Sequence, residues 1–341
     1  MATVSIRDVA ALAGVSVGTV SNVLNRPTKV SESTVAKVQR AIDILGFVRN
    51  DAARQLRAGR SRSIGLVVLD VANPFFTSIA RGAEEAAEAA GLSVLLGNSD
   101  DDASREASYL DLFEEQRVHG VLISPIGEGL ERLERLRARG IPAVLVDRPT
   151  DDPRFDSVAV DDVAGGRLAV EHLLSLGRRR ILMVAGPVGI RQVRDRLAGA
   201  RTAVDRTPGA SLEVVSTSAL TVLEGRAVGG AVAARDAADR PDAIFAANDL
   251  LAVGVLQAFA FGSSIRVPDD IALVGYDDID FASAAVVPLT SVRQPSALIG
   301  RTGVELLLRQ SDDADAPREH VVFQPELVIR DSTGAVGSRI P

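Results

Sequence analysis

The 341-residue sequence predicts a small all-α helix-turn-helix head followed by an α/β body of two doubly wound parallel sheets. Three observations carry that expectation. Two short amphipathic stretches joined by a glycine lie within residues 5–25. Nine apolar runs alternate with helix-spaced segments from residue 64 onward. The charge reverses between the two parts: residues 1–62 hold ten Arg or Lys against four Asp or Glu, and the remainder holds 28 against 41. The net charge of −7 therefore hides a cationic head on an acidic body, and basic side chains near phosphates gain affinity by releasing counterions.

The first helix is read from Ser5 and Asp8, at the spacing of an N-cap and its reciprocal partner, with Ile6, Val9, Ala10 and Ala13 on one face. Gly14 supplies the turn. Ser16 caps a second helix whose apolar stripe is Val20, Val23 and Leu24. Its other face carries Ser16, Val17, Gly18, Thr19, Ser21, Asn22 and Asn25, all small or neutral-polar. Nothing on that face blocks approach to a duplex, and its hydroxyls and amides match phosphate and base-edge chemistry. The same face also fits a solvated helix in any small bundle. Arg26 to Lys29 read as a basic loop. Val30 and Val35 bracket the Ser31 cap as a hydrophobic staple, Val38, Ile42 and Leu45 continue the face, and Gly46 ends the third helix.

Residues 50–58, NDAARQLRA, hold too few apolar side chains for an isolated helix. They read either as a plain linker or as a segment that orders only against DNA and a second copy of itself. From Ile64 the apolar runs are 64–69, 92–96, 118–123, 143–146, 157–160, 181–185, 212–215, 243–247 and 271–274, too many for one ordinary sheet. Ligands in such sheets bind beyond the carboxyl ends of the strands. Just there the sequence places Asn73, Phe75 and Phe76, Ser124, Asp147 and Arg148, Asp161, Asn248 and Asp249, and Asp277. Carboxylates, amides and a guanidinium can pair with several hydroxyls of a polyol while an aromatic face covers its C–H groups. Each residue alone also fits a helix N-cap, and Asp249 is assigned that role.

Composition narrows the classes. Apolar residues make up 46% and charged residues 24%, and no run reaches the length of a membrane span. MATVSIRDVA lacks the regions of a secretory signal, and there is no cysteine, so disulfides, thiolate metal sites and cysteine nucleophiles are excluded. A cytoplasmic protein without cofactor or metal is expected. An enzyme using Asp147, Asp161 and Asp277 as acid and base is weighed against this. No nucleophile–base arrangement or phosphate-cradling loop accompanies those carboxylates, and His119, His172 and His320 fall at unrelated places.

The stretch IRDVAALAGVSVGTVSNVLN, then GFVRNDAARQLRAGRSRSIGLVV, VLVDR, DRLAG, FAANDLLAVG, VGYDDID and TSVRQP, resemble the LacI/GalR family of bacterial transcription regulators in order and spacing over essentially the whole chain. The resemblance implies a periplasmic-binding-protein-like body and a homodimer on a palindromic operator. It implies a hinge helix over 50–58 that reaches the minor groove with Asn50, Ala53 and Leu56, the leucine as a wedge. Base reading falls at Val17, Gly18 and Asn22, of which only Asn22 can hydrogen-bond through its side chain. The effector pattern maps onto Asn73, Phe75, Phe76, Ser124, Asp147, Arg196, Asn248, Asp277 and Gln294. Arg196 is the foremost of these, because a planar guanidinium holds two hydroxyls or a carboxylate in fixed geometry. Leu220 stands where some members carry an aromatic ring. The final DSTGAVGSRIP has no leucine heptad, so a dimer is expected rather than a tetramer.

The resulting division is a head over 1–49, a hinge and linker over 50–63, and a body over 64–341. Within the body an N-subdomain of 64–161 and 292–323 and a C-subdomain of 162–291 and 324–341 are expected. The function expected is a DNA-binding repressor of a carbohydrate-catabolic operon, controlled by a small sugar or related metabolite. A transporter's solute-binding component would share the body but not the basic head.

Overall fold

The protein is described from a computed structural model over residues 4–47, 61–127, 129–313 and 315–334. Its contacts divide the chain into two compact units, 1–60 and 61–341. Asn50, Ala53 and Leu56 lie outside the described residues.

In the head, α1 (Ile6–Ala13), α2 (Val17–Asn25) and α3 (Glu32–Leu45) close around Val9, Ala10, Val20, Val23, Val38 and Ala41. The Asp8 carboxylate accepts from both the amide and the hydroxyl of Ser5, at 2.8 Å each, which satisfies one otherwise orphaned helix donor. Gly14 and Gly46 both end their helices in the left-handed region, at φ 65° and 60°. The Ser16 hydroxyl accepts from the Thr19 amide at 3.0 Å. Two local expectations differ. Ser31 stands at the N-cap position, but its hydroxyl bonds the Thr34 hydroxyl at 2.9 Å rather than a helix amide. The basic loop contains a 3-10 turn, Pro27–Lys29.

Among the described residues the body contains two six-stranded sheets. The first takes β1 (Ser63–Val68), β2 (Ser93–Asn98), β3 (Val121–Ile123), β4 (Ala143–Val146), β5 (Asp156–Val160) and β11 (His320–Phe323), in the order β11-β5-β4-β3-β1-β2, all parallel. The second takes β6 (Arg180–Val184), β7 (Ser211–Val215), β8 (Ala243–Ala246), β9 (Ala272–Asp277), β10 (Thr290–Arg293) and β12 (Glu326–Val328), in the order β12-β10-β9-β8-β6-β7. Among the described residues only the β10–β12 pair is antiparallel. The nine apolar runs all become strands. Seven of them are interior strands covered on both faces, which must be apolar throughout, whereas β2 and β7 are edges with partly exposed side chains. Strands β10, β11 and β12 have no such run: they are short, and β11 and β12 are edges with one half-exposed face.

Helices cover both sheets: α4 (Pro74–Ala89), α5 (Ala103–Glu115), α6 (Glu131–Ala138) and α12 (Ser296–Asp312) on the first, and α7 (Asp162–Ser175), α8 (Arg191–Asp205), α9 (Val222–Ala233), α10 (Asp249–Gly262) and the short α11 (Asp280–Ala284) on the second. The chain passes between the lobes three times, after β5, after β10 and after β11. Glycine lets paired helices touch backbone to backbone. A Cβ on Gly166 of α7 would lie 2.0 Å from the Arg196 carbonyl of α8, and one on Gly300 of α12 2.0 Å from the Ile79 carbonyl of α4. No helix among the described residues is long and apolar enough to cross a membrane.

Candidate functional site

A cleft of about 250 Å³ opens between the two sheets of the body, at the carboxyl ends of their strands. Asn73 enters it from the N-cap of α4, where its side-chain oxygen accepts from the Phe75 amide at 3.0 Å and Pro74 starts the helix. Phe75 and Phe76 follow as an edge-on aromatic pair, ring centres 5.1 Å apart. Asp147 follows β4 and Asp277 ends β9, both with positive φ, 57° and 102°. Non-glycine residues rarely hold that conformation, and where they do the strain turns a side chain toward a functional position.

Arg196, on α8, organises the floor. It is 4% exposed, and its guanidinium lies 3.7 Å from the Tyr276 ring centre. Its Nε donates to Asp162 Oδ1 at 2.8 Å, and its Nη1 donates to the Ala247 carbonyl at 2.7 Å and stands 3.7 Å from Asp277 Oδ1. Asp277 is further held by the Asn73 amide, at 3.2 Å, and the Gln294 amide, at 2.8 Å. Burial raises the Asp277 carboxyl to about 6, while Arg196 and these two amides pull it down. Asp147 is raised well above the usual carboxylate range, by burial first and then by Asp162. Two acidic side chains and a guanidinium, all nearly buried, can exchange hydrogen bonds with a polar ligand that carries several donors and acceptors.

The lobes also meet directly across the cleft. The Gln192 amide, on α8, donates to the Asp147 carbonyl at 2.6 Å and to its carboxylate at 2.8 Å. Neither Gln192 nor Asp162 figured among the expected residues. Gln192 precedes Arg196 by one helical turn, and that spacing was the available signal.

On the head, Ser16, Val17, Gly18, Asn22 and Asn25 of α2 are exposed, with Thr19 and Ser21 half-buried beside them. Val17 is 42% exposed. The Asn25 amide donates back to the Ser21 carbonyl at 2.8 Å, whereas the Ser16 and Thr19 hydroxyls bond each other at 2.9 Å.

A family described as "Bacterial regulatory proteins, lacI family" matches residues 5–50, and a "Periplasmic binding protein-like domain" matches residues 170–333. The chain is 33% identical over 339 residues to the HTH-type transcriptional repressor PurR of Photobacterium profundum, covering 96% of this chain and 98% of that one. It is 33% identical over 344 residues to the ribose operon repressor of Escherichia coli, covering 96% and 99%. The chain belongs to the LacI family. Its fold superposes on the lac repressor dimer crystallised with operator and the anti-inducer ONPF, with a TM-score of 0.83 at 29% identity, over 98% of this chain and 100% of that one.

As a LacI-family transcriptional regulator the protein carries its expected cleft residues in two settings. Asn73, Phe75, Phe76, Asp147, Arg196, Asn248 and Asp277 line one cleft. Ser124 and Gln294 are buried away from its wall, Gln294 as a donor to Asp277. The assignment of Asp249 as an N-cap is corrected. Asn248 caps α10, accepting from the Leu251 amide at 3.0 Å, while Asp249 is fully buried and accepts from the Ser291 hydroxyl and the Ile279 amide. Asp161, weighed as a catalytic acid, is spent capping α7 through the Ala164 amide.

Proposed function

We propose that the protein is a dimeric, DNA-binding repressor of a carbohydrate-catabolic operon, released or engaged by a small sugar or sugar derivative in the cleft. The observation that carries this is the buried Asp147–Arg196–Asp277 floor between two lobes, in the same chain as an exposed neutral-polar helix on a basic head. The relative named as a ribose operon repressor and the operator-bound lac repressor structure support the same reading.

Head α2 enters the major groove, where the Asn22 amide reads base edges and Val17 meets a thymine methyl. Residues 50–58 of two copies pair in the minor groove with Leu56 as a wedge. Ligand binding changes how the two lobes close, and through that the spacing of the paired hinge segments. Coupling of this kind is typically about 1–3 kcal/mol and reciprocal, so operator must change effector affinity by the same factor.

A gel-shift titration with the gene's own upstream DNA, with and without a panel of pentoses, hexoses and nucleosides, tests the reading. The expected result is a salt-sensitive shift that one ligand class strengthens or weakens, lost in Leu56→Ala. A protein that ignores every duplex at low ionic strength ends the proposal.

A further inference from the structure

The cleft carries more acid than its own cation can balance. Five of its lining side chains are acidic, Asp70, Asp100, Asp101, Asp147 and Asp277, and one is basic, Arg196. Arg196 is already engaged. Its Nε serves Asp162, a further buried carboxylate, its Nη1 serves the Ala247 carbonyl, and it reaches Asp277 only at 3.7 Å. Asp100 pairs with Arg105 at 2.6 Å, whereas Asp70 and Asp101 form no ion pair among the described residues. Asp147 gives the sharper sign. It is 3% exposed, and its Oδ1 has no hydrogen-bond partner among the described residues, while Oδ2 accepts from Gln192. Leaving a buried acceptor unmet costs free energy, which a ligand donor at that point recovers. Desolvation holds Asp147 and Asp277 above the ordinary carboxylate range, and desolvation with the charges of Asp70 and Asp100 does the same for Asp101. An added positive charge stabilises carboxylates crowded in this way. Phe75 and Phe76 line the same cleft, and an aromatic face attracts a cation as well as covering C–H groups.

We infer that the effector is a cation: a small sugar or polyol bearing a protonated nitrogen, as in an amino or imino sugar, with its N–H donors on Asp147. A charge-assisted hydrogen bond to that carboxylate is about twice as strong as the one a hydroxyl makes between neutral groups. A phosphorylated ligand brings like charge against the acidic wall and is rejected. The inference rests on the cleft being the effector site, and adds the sign of the ligand's charge.

The test is calorimetry on the full chain, at a pH that keeps each amine protonated. It compares glucose with glucosamine and deoxynojirimycin, and ribose with iminoribitol. Glucosamine 6-phosphate is the control in which the charge is reversed. The expected result is that at least one nitrogen analogue binds ~10-fold or more tighter than its neutral parent. Added salt should weaken the analogue more than the parent, and the phosphate should lose the gain. Asp147→Asn keeps the side chain's shape without its charge, so it should remove the gain while melting no lower than the unmodified protein. Asp70→Asn/Asp101→Asn, at half-buried and exposed positions, should reduce the gain with the melting temperature unchanged. Equal affinities for parent and analogue, tighter binding of the phosphate, or a full gain kept in Asp147→Asn overturns the inference. So does a failure of all these ligands to bind. Asp277→Asn separates this from failure of the underlying reading. A neutral sugar that binds that variant as well as the unmodified protein removes the cleft as effector site. One that depends on Asp277 but gains nothing from a nitrogen leaves the cleft standing and removes only the charge.

Discussion

The Gln192 amide joins the two lobes of the body by donating to both the carbonyl and the carboxylate of Asp147, at 2.6 and 2.8 Å. One side chain of α8 thus holds the turn that follows β4 in the opposite sheet, beside the carboxylate of the candidate ligand cleft. Gln192→Ala leaves a buried carbonyl and a buried acidic side chain short of a donor, an effect of roughly 1–3 kcal/mol. Urea unfolding should show a loss in that range, with the body opening more readily in small-angle scattering. An unchanged midpoint and unchanged scattering would leave Gln192 without a bridging role.

Arg196 compensates two buried carboxylates, Asp162 and Asp277, while its face packs on Tyr276. Its loss should therefore damage the fold as well as ligand binding. Arg196→Ala should cost roughly 3–5 kcal/mol in chemical denaturation, the size seen when one member of a buried ion pair is removed. Arg196→Lys keeps the charge but cannot reach Asp162 and the Ala247 carbonyl with the same planar fork, and should fall between. Parent-like stability in the alanine variant would show that the floor is not built on this charge.

Asp277 is held at about 6, against 3.8 for the ordinary side chain, by burial. A carboxyl raised in the folded state binds its proton more tightly folded than unfolded. Its contribution to stability is therefore fully present below about pH 4 and is lost as pH rises through about 6. Asp147 and Asp249 shift in the same direction, so the difference between the parent and Asp277→Asn isolates this group. That difference should fall by at most about 3 kcal/mol between pH 4 and 7, the equivalent of two pKa units. A flat difference would mean that Asp277 ionises as if in water. Ligand donors need the carboxylate, so effector affinity should rise over the same window.

Gly166 and Arg196 meet where α7 crosses α8, and a methyl on Gly166 would sit 2.0 Å from the Arg196 carbonyl. Gly166→Ala must push the helices apart, at a cost of 1–3 kcal/mol or more. Although Gly166 lies off the cleft wall, the variant should also weaken effector binding by moving the Arg196 backbone. Calorimetry on the folded variant checks this, and parent-like affinity would uncouple the crossing from the site.

Six small side chains form the buried centre of the head core, among them the wholly buried Val38, with half-buried residues such as Ile6, Leu45 and Phe47 packed around them. Val38→Ala should cost about 2 kcal/mol, enough to melt so small a unit early. Two calorimetric transitions are expected, with only the lower one moved. A shift of the body transition would contradict separate units.

How much of this was legible in the chain follows from which interactions are local. The helix ends at Ser5, Gly14, Ser16 and Gly46 are decided within four residues by hydrogen bonding and by the freedom of glycine. Seven of the nine apolar runs mark buried parallel strands, because both faces of such a strand are covered; the other two, β2 and β7, are partly exposed edges. The rule that ligands meet strand carboxyl ends then points at Asp147, Asn248 and Asp277. Strand β10, Thr290–Arg293, is interior but mostly polar, and β11 and β12 are short edges, so these three passed unread.

The pairing of residues far apart in the chain belonged to the tertiary structure. It separated Asn248, a cap on the cleft wall, from Asp249, a buried carboxylate beneath it, although the two are neighbours. It brought Gln192 to Asp147 across 45 residues and Asn73 to Asp277 across 204. Local backbone chemistry writes itself into a pattern of a few residues. The environment of a charge depends on what the remote chain packs over it, and no short-range pattern records that.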